Sequence, residues 1–316
     1  MPKVEGIVLE VIKLTDHISE LRIGAKDGAA LPSYSCGAHV LFDLPDGDTR
    51  AYSLINFDPI LPEPKEYRIA VQREPEGKGG SAHMHRLSAG SQITFSAPNN
   101  DFPLQADASA VLLAGGIGIT PMISMATMLR AGGQAFEFHY SGRSAGVMAY
   151  TAPLQAVFGG ALHLHCDDDP SSVLDLDEII RSIDKVAHLY VCGPKGLIKA
   201  AKAKAEAAGI TADRIHFELF DAPQEQAGDV AFEVEINSGD VFLVVPGQTI
   251  IEALEDGGVD VMYDCQRGDC GICQCDVISG IPDHRDVVLS ADERAAGKVM
   301  QICVSRAKSP RLVLDI

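Results

Sequence analysis

The 316-residue sequence predicts a multidomain fold: an antiparallel β-barrel, an α/β domain on a parallel sheet, and a small α+β domain of β-grasp type. Three observations predict it. Residues 1–102 carry short alternating or β-branched runs separated by Gly, Pro and Asp turns. Residues 103–222 alternate strand-like and helix-like segments, the rhythm of a doubly wound sheet. Residues 230–316 place four of the chain's eight cysteines between positions 265 and 275.

In the first block the runs VEGIVLEVIKL, HISELRI, AHVLFDL, EYRIAV and SQITFSA read as strands. Five or six such strands make a small barrel. A short helix is expected over SAHMHRLSAG, ended by Gly90. The stretch RAYSL sets Arg50, Ala51, Tyr52 and Ser53 on a strand, and GKGGSAHMH (77–85) leads Gly79, Gly80 and Ser81 into the helix. An arginine beside a helix N-terminus suits a phosphate, and a tyrosine can lie on a flat ring. An ordinary barrel strand is the plainer explanation of RAYSL taken alone.

In the second block SAVLLAGG is a buried strand and TPMISMATMLRAGG a helix, with Thr120 as its N-cap, Pro121 at its first position and Gly132 beyond its end. Between them lies GGIGITP (115–121). Glycines there let the backbone turn sharply and approach a ligand, and the helix start favours a pyrophosphate. A simple glycine turn explains the same residues, since Pro121 replaces the third glycine of the usual dinucleotide pattern. CGP (Cys192, Gly193, Pro194) ends another strand, at the edge where open α/β sheets bind ligands; a buried structural cysteine is the alternative for Cys192. Asp167, Asp168 and Asp169 can accept from a ribose hydroxyl and argue for NADH, whereas Arg143 argues for a 2′-phosphate. Solvated loop charges explain both. Met122 and Met125 are expected in the core, and His83, His85, His163 and His165 in packing or surface roles.

DAPQEQAGD (221–229) reads as a linker. Beyond it AFEVEINSG and VFLVVPG suggest a hairpin, TIIEALEDGG a helix and RLVLDI a closing strand. The cysteines run Cys265-x4-Cys270-x2-Cys273, with Cys303 further on. This is the spacing of a plant-type 2Fe-2S site. Two irons need four thiolates; one loop supplies three and the fold supplies the fourth. Gly268 and Gly271 let backbone N–H groups turn toward the sulfurs. Zinc is the competing reading, but four-thiolate zinc sites usually pair two short knuckles. Cys275 is expected to face the core as a small hydrophobe.

The formal charge is −18, which argues against nucleic acid or anionic membrane as a partner. Residues 222–316 hold 17 Asp/Glu against 7 Lys/Arg, a balance of −10. That excess serves solubility or an acidic docking face for a protein partner. No apolar run approaches the ~20 residues of a membrane span, and the amino terminus lacks a signal-peptide pattern. A cytoplasmic protein is expected.

The order RAYSL, GKGGS, GGIGITP, CGP, HFELF, cysteine loop, GIPDHRDVVLS and CVSRAKSPRLVLDI resembles the phthalate dioxygenase reductase family, the group that includes vanillate O-demethylase reductases. The resemblance implies an FMN barrel (1–102), an NADH domain (103–222) and a plant-type ferredoxin domain (230–316). It implies that Arg50, Ala51, Tyr52 and Ser53 bind flavin, with Ser53 near its reactive nitrogen. Gly79, Gly80 and Ser81 then help hold the FMN phosphate, and Gly116, Gly118, Thr120 and Pro121 the dinucleotide. Cys192, Gly193 and Pro194 form the turn near the nicotinamide, and Phe220 is the aromatic residue near the flavin ring. Ser53, Cys192 and Phe220 are thereby the candidate catalytic residues, and Cys265, Cys270, Cys273 and Cys303 the iron ligands. Cys275 departs from the family pattern without touching the ligand set. The implied activity is an NADH-dependent reductase that feeds single electrons to a terminal oxygenase. A reductase serving another acceptor, a non-enzymatic electron carrier or redox sensor, and a zinc-bearing interaction protein are the alternatives.

Overall fold

A computed structural model describes residues 2–75, 77, 79–220 and 226–316. Contacts divide the chain into two compact units, Met1–Glu218 and Leu219–Ile316.

The first unit opens with β1 (Lys3–Lys13), β2 (Ile18–Ala25), β3 (His39–Asp43), β4 (Thr49–Ser53), β5 (Tyr67–Gln72), helix α1 (Gly80–Met84) and β6 (Gln92–Ser96). The six strands form one antiparallel sheet in the order β4-β3-β6-β1-β2-β5. A register shift between Val8 and Glu10 lets the long β1 bend, and the end strands β4 and β5 approach one another, curling the sheet toward a barrel. Leu21, Ile23, Val40, Phe42, Ile69 and Phe95 fill its interior. Helix α1 is shorter than the sequence suggests and stops well before Gly90. The reason is competition for backbone: Gly90 N–H bonds to Val8 O and Val8 N–H to Ser91 O, so the β1 ladder claims that segment. Lys78 of the expected phosphate loop, with Glu76, lies outside the described residues.

The same unit continues with β7 (Ala110–Gly115), α2 (Ile119–Ala131), β8 (Phe136–Gly142), α3 (Thr151–Phe158), β9 (Leu162–Cys166), α4 (Leu176–Ser182), β10 (His188–Cys192), α5 (Lys195–Ala207) and β11 (Ile215–Glu218). The strands are all parallel, in the order β11-β10-β7-β8-β9. β7 is buried at every position, as a central parallel strand should be. Met122 and Met125 are fully buried in the core with Leu112, Phe138 and Tyr140. Thr120 is not an N-cap. A 3-10 turn at Gly116–Gly118 starts the coil early, so α2 begins at Ile119 with Gly118 before it. Thr120 Oγ1 instead donates to Ile117 O at 3.1 Å. Pro121 is third in the helix, where its missing N–H still forfeits no helical bond.

The second unit contains β12 (Phe232–Glu235), β13 (Val241–Val244), α6 (Ile250–Asp256), β14 (Gln274–Ser279), β15 (Pro282–Asp283), α7 (Ala291–Ala296), β16 (Val299–Gln301), β17 (Arg306–Ala307) and β18 (Arg311–Leu314). The expected hairpin is β12–β13, and β18 returns parallel beside β12, giving the order β13-β12-β18-β14-β16. Thr249 and Glu252 form a capping box on α6. Helix α7 was not anticipated, although Ser290 and Glu293 make the same reciprocal cap. Cys275 is buried on β14 in the core, as expected. The linker expected at 221–229 lies partly outside the described residues. Its end, Asp229, is anchored: the carboxylate, 5% exposed, takes Arg285 Nη1 at 3.0 Å and Nη2 at 2.5 Å, with Arg306 at 3.8 Å. Arg306 in turn donates to the carbonyls of Gln248, Val230 and Val245. No helix among the described residues is long and apolar enough to cross a membrane.

The hydrogen bonds from Arg285 hold the Asp229 carboxyl down at about 2, against an ordinary 3.8. A depressed carboxylate stabilises the fold above its unfolded value and stops doing so as pH falls through its folded one. Asp229→Asn should therefore cost about 2 kcal/mol near neutrality. The gap to wild type, read from urea unfolding of the intact chain, should close between about pH 4 and pH 2.

Candidate functional site

The second unit brings together the four cysteines that the spacing selects. Cys265 and Cys273 each face the Cys303 thiol, and Cys270 faces Cys265. Cys273 and Cys303 are buried, and Cys265 and Cys270 half-buried. Sharing of the Cys303 proton pulls Cys265 and Cys273 toward thiolate and pushes Cys303 up, while burial pushes Cys270 up to about 11. Thiols that crowd and compete for protons are a donor set suited to cations, which replace the protons. The loop backbone is shaped for the task. Gln266, Gly268 and Gly271 all have φ between 51° and 81°, a run of left-handed turns that aims N–H groups inward. Arg267 N–H reaches Cys265 Sγ at 3.3 Å. A Cβ at Gly268 would meet Val304 Cγ2 at 2.6 Å, so only glycine fits. The thiol contacts link Cys270 to Cys265, and both Cys265 and Cys273 to Cys303; four thiolates at this spacing are the donor set of a plant-type 2Fe-2S centre. Asp269 is held by Leu219 N–H at 2.8 Å, and burial raises its carboxyl to about 7.

In the first unit, β4 presents Arg50, Ala51, Tyr52 and Ser53 with alternating burial that ends in a buried Ser53. The Ser53 hydroxyl has no hydrogen-bond partner among the described residues. A buried orphan hydroxyl is costly and fits a ligand that supplies a polar atom. Tyr52 stands edge-on to Phe42 at 5.7 Å, and burial lifts its phenol to about 12. Arg50 lies against the 79–81 loop: a Cβ at Gly80 would come within 2.8 Å of its Nε. Its Nη1 is held by Asp48 and the Thr49 carbonyl, both at 2.6 Å. Gly79 enters α1 at φ 94°, and the Ser81 hydroxyl accepts from Glu74 N–H at 3.0 Å. Arg50 of the expected flavin strand thus neighbours Gly80 of the expected phosphate loop.

The two turns of the parallel sheet meet backbone to backbone. A Cβ at Gly118 would lie 2.2 Å from Cys192 O, and one at Gly193 would lie 2.9 Å from Gly115. The glycines therefore divide their work. Gly115, Gly118 and Gly193 permit the close approach of β7 and β10 ends. Gly116, at φ 54° with open space around it, is the one facing outward. Pro194 packs over Gly115. Cys192 is completely buried, so the core role open to it from sequence is realised, and it is its carbonyl that meets Gly118. Phe220 is 36% exposed just past β11. Two residues with no motif to flag them, Ser124 and Thr127 on α2, bond to the backbone following Ser53. His139, His163 and His165 stack across β8 and β9, joined by a 3.0 Å contact between His139 and His165.

Comparison with known proteins agrees with this assembly. The Fer2 family, a 2Fe-2S iron-sulfur cluster binding domain, matches residues 234–308. Phenoxybenzoate dioxygenase subunit beta of Ectopseudomonas oleovorans is 42% identical over 300 residues, spanning 94% of this chain and 92% of its own. Vanillate O-demethylase oxidoreductase of Pseudomonas putida is 37% identical over 320 residues, spanning 99% of this chain and 100% of its own. Phthalate dioxygenase reductase, a modular structure for electron transfer from pyridine nucleotides to a 2Fe-2S centre, superimposes with a TM-score of 0.74 at 35% identity, covering 99% of this chain and 98% of that one. With full-length identity of this order, an antiparallel flavin-type sheet, a parallel nucleotide-type sheet and four converging thiols, the chain belongs to the phthalate dioxygenase reductase family.

Proposed function

We propose that the protein is the reductase component of a two-component Rieske-type oxygenase or demethylase system. It takes hydride from NADH onto FMN and delivers single electrons through a 2Fe-2S cluster to the terminal oxygenase. The observation that carries this is the convergence of Cys265, Cys270, Cys273 and Cys303 in a chain that also holds a dinucleotide turn and an orphaned Ser53 hydroxyl. Flavin, when bound, supplies the conversion from paired to single electrons that neither nicotinamide nor cluster performs.

The chain's own residues supply position. Ser53 offers a hydroxyl to the flavin edge, Tyr52 a ring face, and Arg50 with Gly79, Gly80 and Ser81 a phosphate seat. Gly116, Gly118, Thr120 and Pro121 shape the dinucleotide turn, and Gly193 and Pro194 close it beside Cys192. The three-domain division at 1–102, 103–222 and 230–316 follows these roles. The partner is an oxygenase that docks transiently, and the acidic balance of residues 222–316 favours a basic face on it. A cytoplasmic location fits a consumer of NADH whose described cysteines are all unbridged.

The purified chain should show flavin bands over broad cluster absorption, both bleached by NADH. Cys270→Ser should remove the cluster absorption and cut oxygenase reduction at least ~100-fold, while flavin reduction by NADH persists; loss of both in a folded, flavin-loaded variant would sink the separable relay. Gly118→Ala should raise the KM for NADH about tenfold or more, because the added methyl forces the β7 and β10 turns apart. Its FMN content, measured by released fluorescence, should match wild type.

A further inference from the structure

We infer that Ser124 and Thr127 are positioning residues for hydride transfer: a pair of buried hydroxyls on α2 that fixes the flavin-side strand end relative to the dinucleotide turn. This rests on the reading of Ser53 and the glycine turn given above.

The chain leaves β4 at Ser53 and runs through Leu54, Ile55 and Asn56. On one side its backbone is satisfied by the barrel, with Leu54 N–H on Ala38 O and Ile55 N–H on Arg68 O, both at 2.8 Å. On the other side no strand adjoins the described backbone, and α2 takes that place. Ser124 Oγ donates to Leu54 O at 2.8 Å and accepts from Asn56 N–H at 2.9 Å, bridging the two groups that a neighbouring strand would bridge. Thr127, one turn on, has Asn56 O at 2.8 Å and Ile123 O at 2.9 Å, so its single proton is shared between them. Ser124 is 0% and Thr127 2% exposed. Their neighbours on the helix, Met122, Ile123, Met125 and Ala126, are apolar and equally buried. Packing alone would be met by another apolar side chain. Buried hydroxyls are retained at a cost unless their bonds specify an arrangement.

The arrangement is the geometry of the site. Helix α2 starts directly from the Gly116–Gly118 turn, and Ser124 lies six residues along it, about 9 Å of rigid rise. At the other end of the clamp, Leu54 is peptide-bonded to Ser53. One short rod and one peptide thus connect the two half-sites, with no flexible loop between them. Hydride transfer depends steeply on separation; a misplacement near 1 Å costs about 100-fold.

Ser124→Ala and Thr127→Val remove the clamp hydroxyls, and Thr127→Ser keeps one. In FMN-loaded full-length protein the first two should slow the NADH-driven flavin reduction step by about 10-fold or more in stopped flow. NADH affinity should change less than about threefold, and the long-wavelength charge-transfer absorbance of nicotinamide against flavin should weaken. Thr127→Ser should restore both. In the flavin-free chain, hydrogen exchange at the Asn56 amide should accelerate in Ser124→Ala. Folded, loaded variants with wild-type reduction rate and unchanged charge-transfer band would overturn the inference. So would slowed reduction that Thr127→Ser fails to restore. Where Ser124→Ala does not fold, the Thr127 pair decides alone. The functional reading itself fails differently, through an unmodified protein that binds no flavin or is not reduced by NADH.

Discussion

Backbone meets backbone where β7 and β10 end, and the nucleotide half of the molecule depends on that approach. Gly118 lies so close to the Cys192 carbonyl that no Cβ fits between them. Beside that contact lies a 3-10 turn at residues 116–118, from which α2 starts at Ile119, ahead of the expected cap Thr120. Gly116 is the outward residue of the turn. A motif that looks like three equivalent glycines is therefore two packing glycines and one that faces open space. The same helix then carries Ser124 and Thr127 to the strand end beside Ser53.

The second unit solves a different problem. Four thiols within reach of one another cannot all ionise without compensation, and the proton-sharing between Cys265, Cys273 and Cys303 records that conflict. Left-handed backbone at Gln266, Gly268 and Gly271 turns the loop sharply, and within it Arg267 N–H reaches Cys265 Sγ. Away from the loop, a polar knot of Asp229, Arg285 and Arg306 ties the start of the unit to the turns around Gln248 and Val245. The loop is thus held by a unit with its own core and its own charge network, consistent with a module that receives electrons and passes them on.

How far the sequence could be read depended on the range of the forces involved. The strand–helix alternation of 107–220, the β12–β13 hairpin and the Cys265-x4-Cys270-x2-Cys273 spacing are local patterns, and each was legible. Helix α1 was overestimated because the β1 ladder, distant in sequence, took Gly90 and Ser91. Helix α7 was overlooked although Ser290 and Glu293 spell a capping box, since its apolar face is weak and no residue of it is buried.

Residue order alone determined the succession of antiparallel sheet, parallel sheet and Fer2 region, the spacing of the four cysteines and the family, because these rest on patterns within short windows and on motifs in fixed order. Tertiary structure decided the rest. It reassigned Thr120 from cap to interior bond, placed Cys192 in the core with its carbonyl against Gly118, left the Ser53 hydroxyl without a partner, and joined Ser124 and Thr127 to residues 54–56. The last of these depends on contacts between groups some 70 residues apart, and a buried hydroxyl has no signature in sequence until the backbone it bonds to is folded beside it.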